Sequence, residues 1–263
     1  MSGGKRKISG KEKNKQALKQ PVQKPAAKNI NRSKGVIYSL SFIIGILAFV
    51  LYANTLNHGY TLDDFSVIKE NNVVTQGTSG ISTILKTSYR YGYLSIQDGL
   101  YRPLSLVMFA VEWQYFPDSP SVSHFINVLF YSLTGVFLFL LLAELLKDYN
   151  LVIPFVGTIL FIAHPVHTEI VASIKSRDEI MCFFLMILSF FFFVKSSKSR
   201  PTLWLTLSGI SFFLAMLAKE TGITMLLVFP LMMYFFMDKP FRKIMINTAF
   251  FAVVTGVYFF IFT

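Results

Sequence analysis

Seven stretches of apolar residues, each almost free of charged side chains, constrain the fold of this chain more than any other feature. They cover residues 35–54, 124–146, 151–163, 180–194, 203–218, 223–237 and 244–263. A helix needs about 20 apolar residues to cross a bilayer, and a chain with 53% hydrophobic residues exceeds what a soluble core requires. The sequence predicts an all-α polytopic membrane protein with seven transmembrane helices. The shortest run is expected to continue through His164.

The positive charge of the chain is concentrated at its N-terminus. Residues 1–35 hold eleven Lys or Arg against one acidic residue, out of a formal net charge of +11 for the whole chain. This segment lacks apolar periodicity and is rich in Gln, Asn, Pro and Lys, a composition typical of disorder. It predicts a disordered basic tail over residues 1–34, which rests on anionic lipid headgroups rather than on nucleic acid.

Charge also predicts the sidedness of the loops. The loops at residues 147–150, 195–200 and 238–243 all carry Lys or Arg, which places them in the cytosol with the N-terminus. Most of the acidic residues then lie in outer segments at 55–123, 164–179 and 219–222.

One apolar stretch, residues 103–116, is expected not to cross the membrane. It contains Glu112 and Gln114, and a crossing there would reverse the side of every later loop. It predicts an interfacial helix within a large extracytoplasmic first loop.

Two adjacent carboxylates, Asp63 and Asp64, follow the first apolar run by about nine residues. A carboxylate on so short a tether at the mouth of a helix bundle can serve as a general base, tuned by the low-dielectric rim. The same pair can equally be a helix cap and a solvated acid. Asp63 and Asp64 are the candidate catalytic residues, with Asp63 slightly favoured.

Three cationic side chains of the predicted outer face are candidate phosphate ligands. Arg102 precedes the interfacial helix, where an arginine either anchors the helix or binds phosphate in a bidentate manner. Arg177 opposes the charge bias of its face. Lys219, with its neighbour Glu220, lies between two apolar runs with almost no loop, where such residues form a structural ion pair or serve function.

The polar string His164-Pro-Val-His167-Thr-Glu169 ends the third apolar run. A metal site from His164, His167 and Glu169 would need a regular geometry that Pro165 disrupts. Hydrogen bonds to a sugar or acceptor are therefore favoured for these residues. The single Cys182 lies in an apolar run, so the sequence offers no disulfide framework and no thiolate metal site.

Several strings, taken in order, resemble the membrane region of the transmembrane and tetratricopeptide-repeat O-mannosyltransferases and their bacterial relatives, in the C-type superfamily of lipid-linked glycosyltransferases. The strings are Asn57-His-Gly-Tyr60-Thr-Leu-Asp63-Asp64, Tyr101-Arg-Pro-Leu-Ser105, His124-Phe-Ile-Asn127-Val-Leu, Ala163-His164-Pro-Val-His-Thr-Glu169, Arg177-Asp178 and Ala218-Lys-Glu-Thr-Gly-Ile223. The resemblance covers about residues 35–263.

The resemblance implies a C-type glycosyltransferase-like module of seven helices whose large first outer loop bears interfacial helices. It also implies inverting transfer of a sugar, typically mannose, from a polyprenyl-phosphate carrier to a Ser or Thr hydroxyl of an extracytoplasmic protein. Asp63 and Asp64 match the acidic motif of the family. The other matching polar positions are Arg102, His164, His167, Glu169, Arg177, Lys219 and Glu220. Because the further helices and repeats of the family do not follow, residues 35–263 are expected to be part of a longer protein.

The predicted function is accordingly that of a polyprenyl-phosphate-sugar-dependent protein O-glycosyltransferase. Its predicted partners are the lipid-linked sugar, a protein acceptor and membrane lipids, with no cofactor assigned and a divalent metal left open. The lysine-rich tail favours a bacterial cytoplasmic membrane over the endoplasmic reticulum.

Two other functions fit a polytopic chain. A transporter or lipid-translocating protein would use the outward polar cluster as a gate, but would carry ionisable residues near the middle of its helices. A membrane anchor for a soluble domain would not need polar clusters on one face.

Overall fold

The computed structural model describes residues 32–97, 99–237 and 239–262, and within them the chain forms helices and turns without any strand. The principal helices are α1 (Lys34–Tyr52), α2 (Pro103–Tyr115), α3 (Pro120–Leu145), α4 (Val152–Ile162), α5 (Thr168–Ala172), α6 (Arg177–Ser196), α7 (Pro201–Ala218), α8 (Met225–Phe236) and α9 (Phe241–Phe262). Short helical turns occupy Ala53–Asn57, Phe65–Lys69, Val74–Gly80, Ile81–Ile84, Tyr91–Leu94, Pro165–His167 and Glu220–Thr224. Most of the predicted tail, residues 1–31, lies outside the described residues.

In the described part of the chain, five helices are long and apolar enough to cross a membrane, namely α1, α3, α6, α7 and α9. Helices α4 and α5 form a pair bent by 47°, which would make a sixth span if counted as one. Helix α8 has 12 residues. Together with the turn before it, it forms the apolar helix Glu220–Phe236, which is shorter than the helices counted as spans. The prediction of an all-α polytopic membrane protein is confirmed, whereas the count of seven spans is not.

The bend between α4 and α5 corrects the expected helix through His164. Helix α4 ends at Ile162, and His164 adopts an extended backbone with φ −70° and ψ 127°. Pro165 causes this break, because proline lacks an N–H and disfavours a helical conformation in the residue before it.

The cytosolic end predicted from charge is held together by contacts between distant segments. Arg32 donates hydrogen bonds to the carbonyl oxygens of Ala143, Leu146 and Tyr149 at 2.9, 2.8 and 2.7 Å. A cation at a helix C-terminus is favoured by the helix dipole. Ser33 caps the first turn of α1, so the last residues of the predicted tail contact the helix bundle.

The three predicted inner loops meet at this same end of the bundle. A cavity of about 440 Å³ is lined by residues from all three, including Lys147, Lys198 and Lys239. Lys198 also forms an ion pair with Glu144 at the end of α3. Loops that charge assigned to one side are therefore neighbours in the fold.

The first outer loop forms a compact layer with its own apolar core. Its turns pack against α2 through a buried cluster consisting of Val67, Ile68, Val73, Val74, Ile84, Tyr89, Leu106, Phe109, Ala110 and Ile174. Helix α2 has 13 residues, begins with Pro103 in its first turn and buries Glu112. The predicted separate helix is thus present, and its buried face packs on the loop layer.

Candidate active site

The two adjacent carboxylates of the first outer loop have different surroundings. Asp64 is fully buried. Its Oδ2 accepts a hydrogen bond from the backbone N–H of Thr61 at 2.9 Å, and its Oδ1 accepts one from the backbone N–H of Lys175 at 2.7 Å. The side chain of Asp63 is 55% exposed, and its Oδ2 lies 3.4 Å from Nη2 of Arg90. Asp64 therefore connects two of the predicted outer segments, while the Asp63 carboxylate is partly open to solvent.

Arg102 connects three outer segments through its guanidinium. Nε donates to Oε2 of Glu220 at 2.8 Å, Nη1 donates to Oδ2 of Asp178 at 2.8 Å, and Nη2 pairs with the other oxygen of Glu220. The guanidinium also lies over the ring of Tyr89, 5.4 Å from its centroid. This cluster joins the start of α2, the first turn of α6 and the turn after α7.

The same contacts shift the proton affinities of the pair. Burial opposes the charge on Arg102, but the hydrogen bonds with Glu220 and the charge of Asp178 raise its pKa overall. Burial also opposes ionisation of Glu220, but Arg102 lowers the pKa of this carboxyl below its ordinary value of 4.5. Both residues are therefore charged at neutral pH.

Arg177 is fully buried and fully paired within the protein. Nε donates to Oδ1 of Asn127 at 2.8 Å, Nη2 donates to the carbonyl of Ser123 at 2.9 Å, and Nη1 pairs with Glu112. Phe109 packs against the guanidinium, with its ring centroid 4.4 Å away. Through these contacts Arg177 joins α2, α3 and α6. Its role as a phosphate ligand stays a prediction.

Lys219 and Glu220 send their side chains to different partners. Lys219 has an extended backbone with φ −158° and ψ 140°, which directs successive side chains to opposite sides. Its ammonium group pairs with Glu179 in the first turn of α6, and the side chain is mostly buried. Both residues therefore form ion pairs, but with partners in other segments, and Glu220 and Glu179 remain partly exposed. Their functional roles stay predictions.

The histidine string lies at the break between α4 and α5. His164 is exposed and accepts a hydrogen bond from the backbone N–H of Val166 at 3.2 Å through Nδ1. His167 packs against Phe161, with 4.4 Å between ring centroids, and helps to line a cavity of about 240 Å³ that Glu179 also lines. Glu169 is exposed in the first turn of α5.

The histidine string does not form a metal site with other groups. The ring centroids of His164 and His167 are 6.3 Å apart. Across the described residues, no group of three His, Cys, Asp or Glu side chains could hold a metal ion. The substrate-binding role of His164, His167 and Glu169 stays a prediction.

Some site residues are not singled out by the sequence. The pattern explains Asp178 and Glu179 as favourable charges in a first helical turn, yet each also pairs with a cation of another segment. The sequence does indicate that Glu112 has a partner, because an acidic residue buried in an apolar helix needs a cation or hydrogen-bond donor beside it. Arg90 lies in no recognisable motif, so no sequence signal identifies it.

Fold and site together define a class: a polytopic helical membrane protein whose predicted outer segments are joined by buried ion pairs. No family model and no solved structure matches the chain. Curated proteins do match. Tmtc1 of Drosophila melanogaster is 32% identical over 184 residues, which is 69% of this chain and 21% of that protein. Tmtc2 of the same organism is 32% identical over 69% of this chain and 20% of that protein. Human TMTC3 is 26% identical over 70% of this chain and 20% of that protein.

Each of these relatives is named a protein O-mannosyl-transferase. Over about 70% of its length the chain is similar to the transmembrane and tetratricopeptide-repeat O-mannosyltransferases, as its motifs indicated. The matched residues span about a fifth of the length of these curated relatives.

Proposed function

We propose that this chain is the membrane module of an inverting glycosyltransferase. The enzyme would move a sugar, mannose in the first instance, from a polyprenyl-phosphate carrier to a Ser or Thr hydroxyl of an extracytoplasmic protein. The observation that carries this proposal is the exposed Asp63 carboxylate, on a loop that Asp64 and Arg102 tie to the other outer segments. The names of the relatives support the same class of reaction.

Asp63 is the proposed general base of a single displacement. The proton of the acceptor hydroxyl passes to the Asp63 carboxylate while the acceptor oxygen forms a bond to the anomeric carbon. The bond from that carbon to the phosphate oxygen breaks on the opposite face, and its electron pair stays on the phosphate. The sugar configuration is inverted. Asp64 is the positioning residue, since both of its oxygens are engaged with backbone N–H groups.

The remaining polar residues would bind the substrates. Arg102 and Lys219 are proposed to supply positive charge near the donor phosphate. Their carboxylate partners, Glu220 and Glu179, are partly exposed, so a phosphate could displace them. His164, His167, Glu169 and Glu220 are proposed to contact sugar or acceptor. No cofactor is part of this proposal.

Charge placement supports an enzyme over a transporter. In the described residues, the ionisable side chains of α3, α6 and α9 lie near the ends of these helices, and α7 has none. A transporter would be expected to carry such residues near the bilayer midplane. The N-terminus is proposed to be cytosolic, in the bacterial cytoplasmic membrane or, as the alternative, the endoplasmic reticulum.

The direct test is transfer of radiolabelled mannose from polyprenyl-phosphate mannose to protein, using membranes that carry the protein expressed in full from its own gene. At matched expression, Asp63→Asn should lower the rate by about a hundredfold or more, because a positioned general base contributes about that much. Asp64→Asn should lower the amount of folded protein together with activity.

Asp118→Asn is the matched control, since Asp118 is an exposed acid of the same loop that pairs with Lys69. Its transfer rate should equal that of the wild type. Absence of transfer in the wild type with every polyprenyl-phosphate sugar tried would contradict the proposal, as would full activity of Asp63→Asn.

A further inference from the structure

Arg90 has hydrogen-bond donors that the described part of the chain does not use. Its only ion pair with a described residue is the contact from Nη2 to Asp63 at 3.4 Å, which is long for a hydrogen bond. Its Nε is buried without a hydrogen-bond partner among the described residues. A guanidinium carries five N–H donors in a planar fork. A buried donor of this kind calls for a specific explanation.

The other arginines of the outer segments differ from Arg90. Arg102 and Arg177 each engage Nε, Nη1 and Nη2 with acceptors of the protein. Arg102 also faces two carboxylates, Asp178 and Glu220, so a phosphate would have to compete with them for its donors. Among the described residues Arg90 faces one carboxylate, and its side chain is 34% exposed, so an anion can reach its fork.

The backbone on both sides of Arg90 is held in place. The N–H of Tyr89 donates to the carbonyl of Leu100 at 2.7 Å, and the carbonyl of Gly92 accepts from the N–H of Asn72 at 2.9 Å. Tyr89 is itself buried in the apolar core of the loop layer. The guanidinium is therefore presented from a fixed segment, as a binding site requires.

We propose that Arg90 binds the phosphate group of the lipid-linked sugar donor, with one edge of its guanidinium on Asp63 and the remaining donors on phosphate oxygens. This assignment rests on the function proposed above. The donor phosphate is a diester with one negative charge, and it becomes a monoester with two when the bond to the sugar breaks. A fixed arginine favours that second charge, and its fork suits phosphate better than an ammonium group does.

The first measurement is binding of a photoreactive polyprenyl phosphate without sugar to the protein expressed in full from its own gene and reconstituted in nanodiscs. The comparison probes are the matching polyprenol, which lacks phosphate, and inorganic phosphate as a competitor. Arg90→Gln should weaken polyprenyl phosphate binding about tenfold or more and leave polyprenol binding unchanged. Arg90→Lys should restore part of the affinity, because it keeps the charge and loses the fork.

Lys86→Gln is the control, because Lys86 is an exposed cation of the same loop, and it should bind like the wild type. If inorganic phosphate at low concentration displaced polyprenyl phosphate, the site would be one for free phosphate and the lipid assignment would be overturned. Polyprenol binding as tightly as polyprenyl phosphate would overturn phosphate recognition. Wild-type affinity in Arg90→Gln would overturn the site itself.

A second readout separates this proposal from the proposed function. Transfer of mannose by the wild type, with normal transfer by Arg90→Gln, would reject the site and keep the enzyme. Loss of polyprenyl phosphate binding in Arg90→Gln, with no transfer by the wild type from any sugar donor, would keep the site and reject the enzyme.

Discussion

At the scale of residues, the charged side chains of the site are buried only where an oppositely charged or hydrogen-bonding group lies beside them. Arg177 shows this most fully, since its guanidinium is bonded by side chains and a carbonyl from two other helices. An isolated charge in such a place would be very costly, whereas a paired and hydrogen-bonded one is tolerated. The same residue can therefore be essential for folding without touching a substrate.

Arg177→Gln should reduce the free energy of unfolding by about 3–5 kcal/mol, because it leaves Glu112 as an uncompensated buried charge. Thermal denaturation of the purified protein in detergent measures this. The double variant Arg177→Met with Glu112→Leu should recover part of the loss, since it removes both charges.

Lys198→Gln provides the comparison, because it breaks an exposed ion pair with Glu144 at the other end of the bundle. Lys198→Gln should change the free energy of unfolding by no more than about 1 kcal/mol. An Arg177→Gln protein as stable as the wild type would contradict a structural role for this arginine.

The distinction between Asp63 and Asp64 could not be read from the sequence. Both are acids at adjacent positions, and what separates them is the backbone N–H of Lys175, which lies 111 residues away along the chain. Local patterns identified the type of residue and predicted its membrane side. The partner of each charge depends on how distant loops pack, which no local pattern encodes.

At the scale of elements, the first outer loop depends on a close approach of two backbone segments. A Cβ on Gly92 would lie 1.9 Å from Oδ1 of Asn71 and 2.9 Å from the backbone nitrogen of Val73. Oδ1 of Asn71 cannot move aside freely, because it accepts hydrogen bonds from the N–H groups of Val73 and Val74 at 3.1 Å each. Only glycine fits here.

Gly92→Ala should therefore destabilise the loop layer by roughly 1–3 kcal/mol, the usual cost of forcing extra volume into a packed place. It should also weaken polyprenyl phosphate binding, because the displaced segment carries Arg90. Hydrogen exchange of residues 71–94 measures the first effect and the nanodisc binding assay the second. Gly59→Ala is the control, because a Cβ at Gly59 would have no atom within 4 Å. Equal protection from exchange in both variants would refute the close approach at Gly92.

The apolar runs identified the long helices, whereas the predicted number of seven spans is not confirmed in the described residues. An apolar stretch of sequence shows only that its residues are hydrophobic. A transmembrane helix must also be long enough to cross the bilayer and must keep its backbone hydrogen bonds unbroken. Pro165 ends α4 early, and Pro230 lies inside the 12-residue α8. The sequence distinguishes the short helix α2 from the transmembrane helices because α2 contains the acidic residue Glu112. In the structure Glu112 is buried and pairs with Arg177.

At the scale of the whole molecule, the two ends of the bundle differ in charge: one is mainly basic and the other carries acidic and basic residues together. One end gathers the lysine-bearing loops, with Arg32 and Lys198 bonded to the last turns of α3. The other end gathers the outer segments through the contacts of Asp64 and Arg102. Every functional assignment above depends on these outer segments sharing one side of a membrane.

Labelling of single cysteines by a membrane-impermeant maleimide in intact cells tests this claim most directly, in a Cys182→Ala background. The exposed positions suited to the test are Ser79, Thr168 and Thr221 in the three outer segments, and Ser199 in an inner loop. We expect cysteines at Ser79, Thr168 and Thr221 to react in intact cells, whereas one at Ser199 should react only after the membrane is permeabilised. A difference in labelling among the first three, or labelling of the fourth together with them before permeabilisation, would contradict a single polar face and the active site built on it.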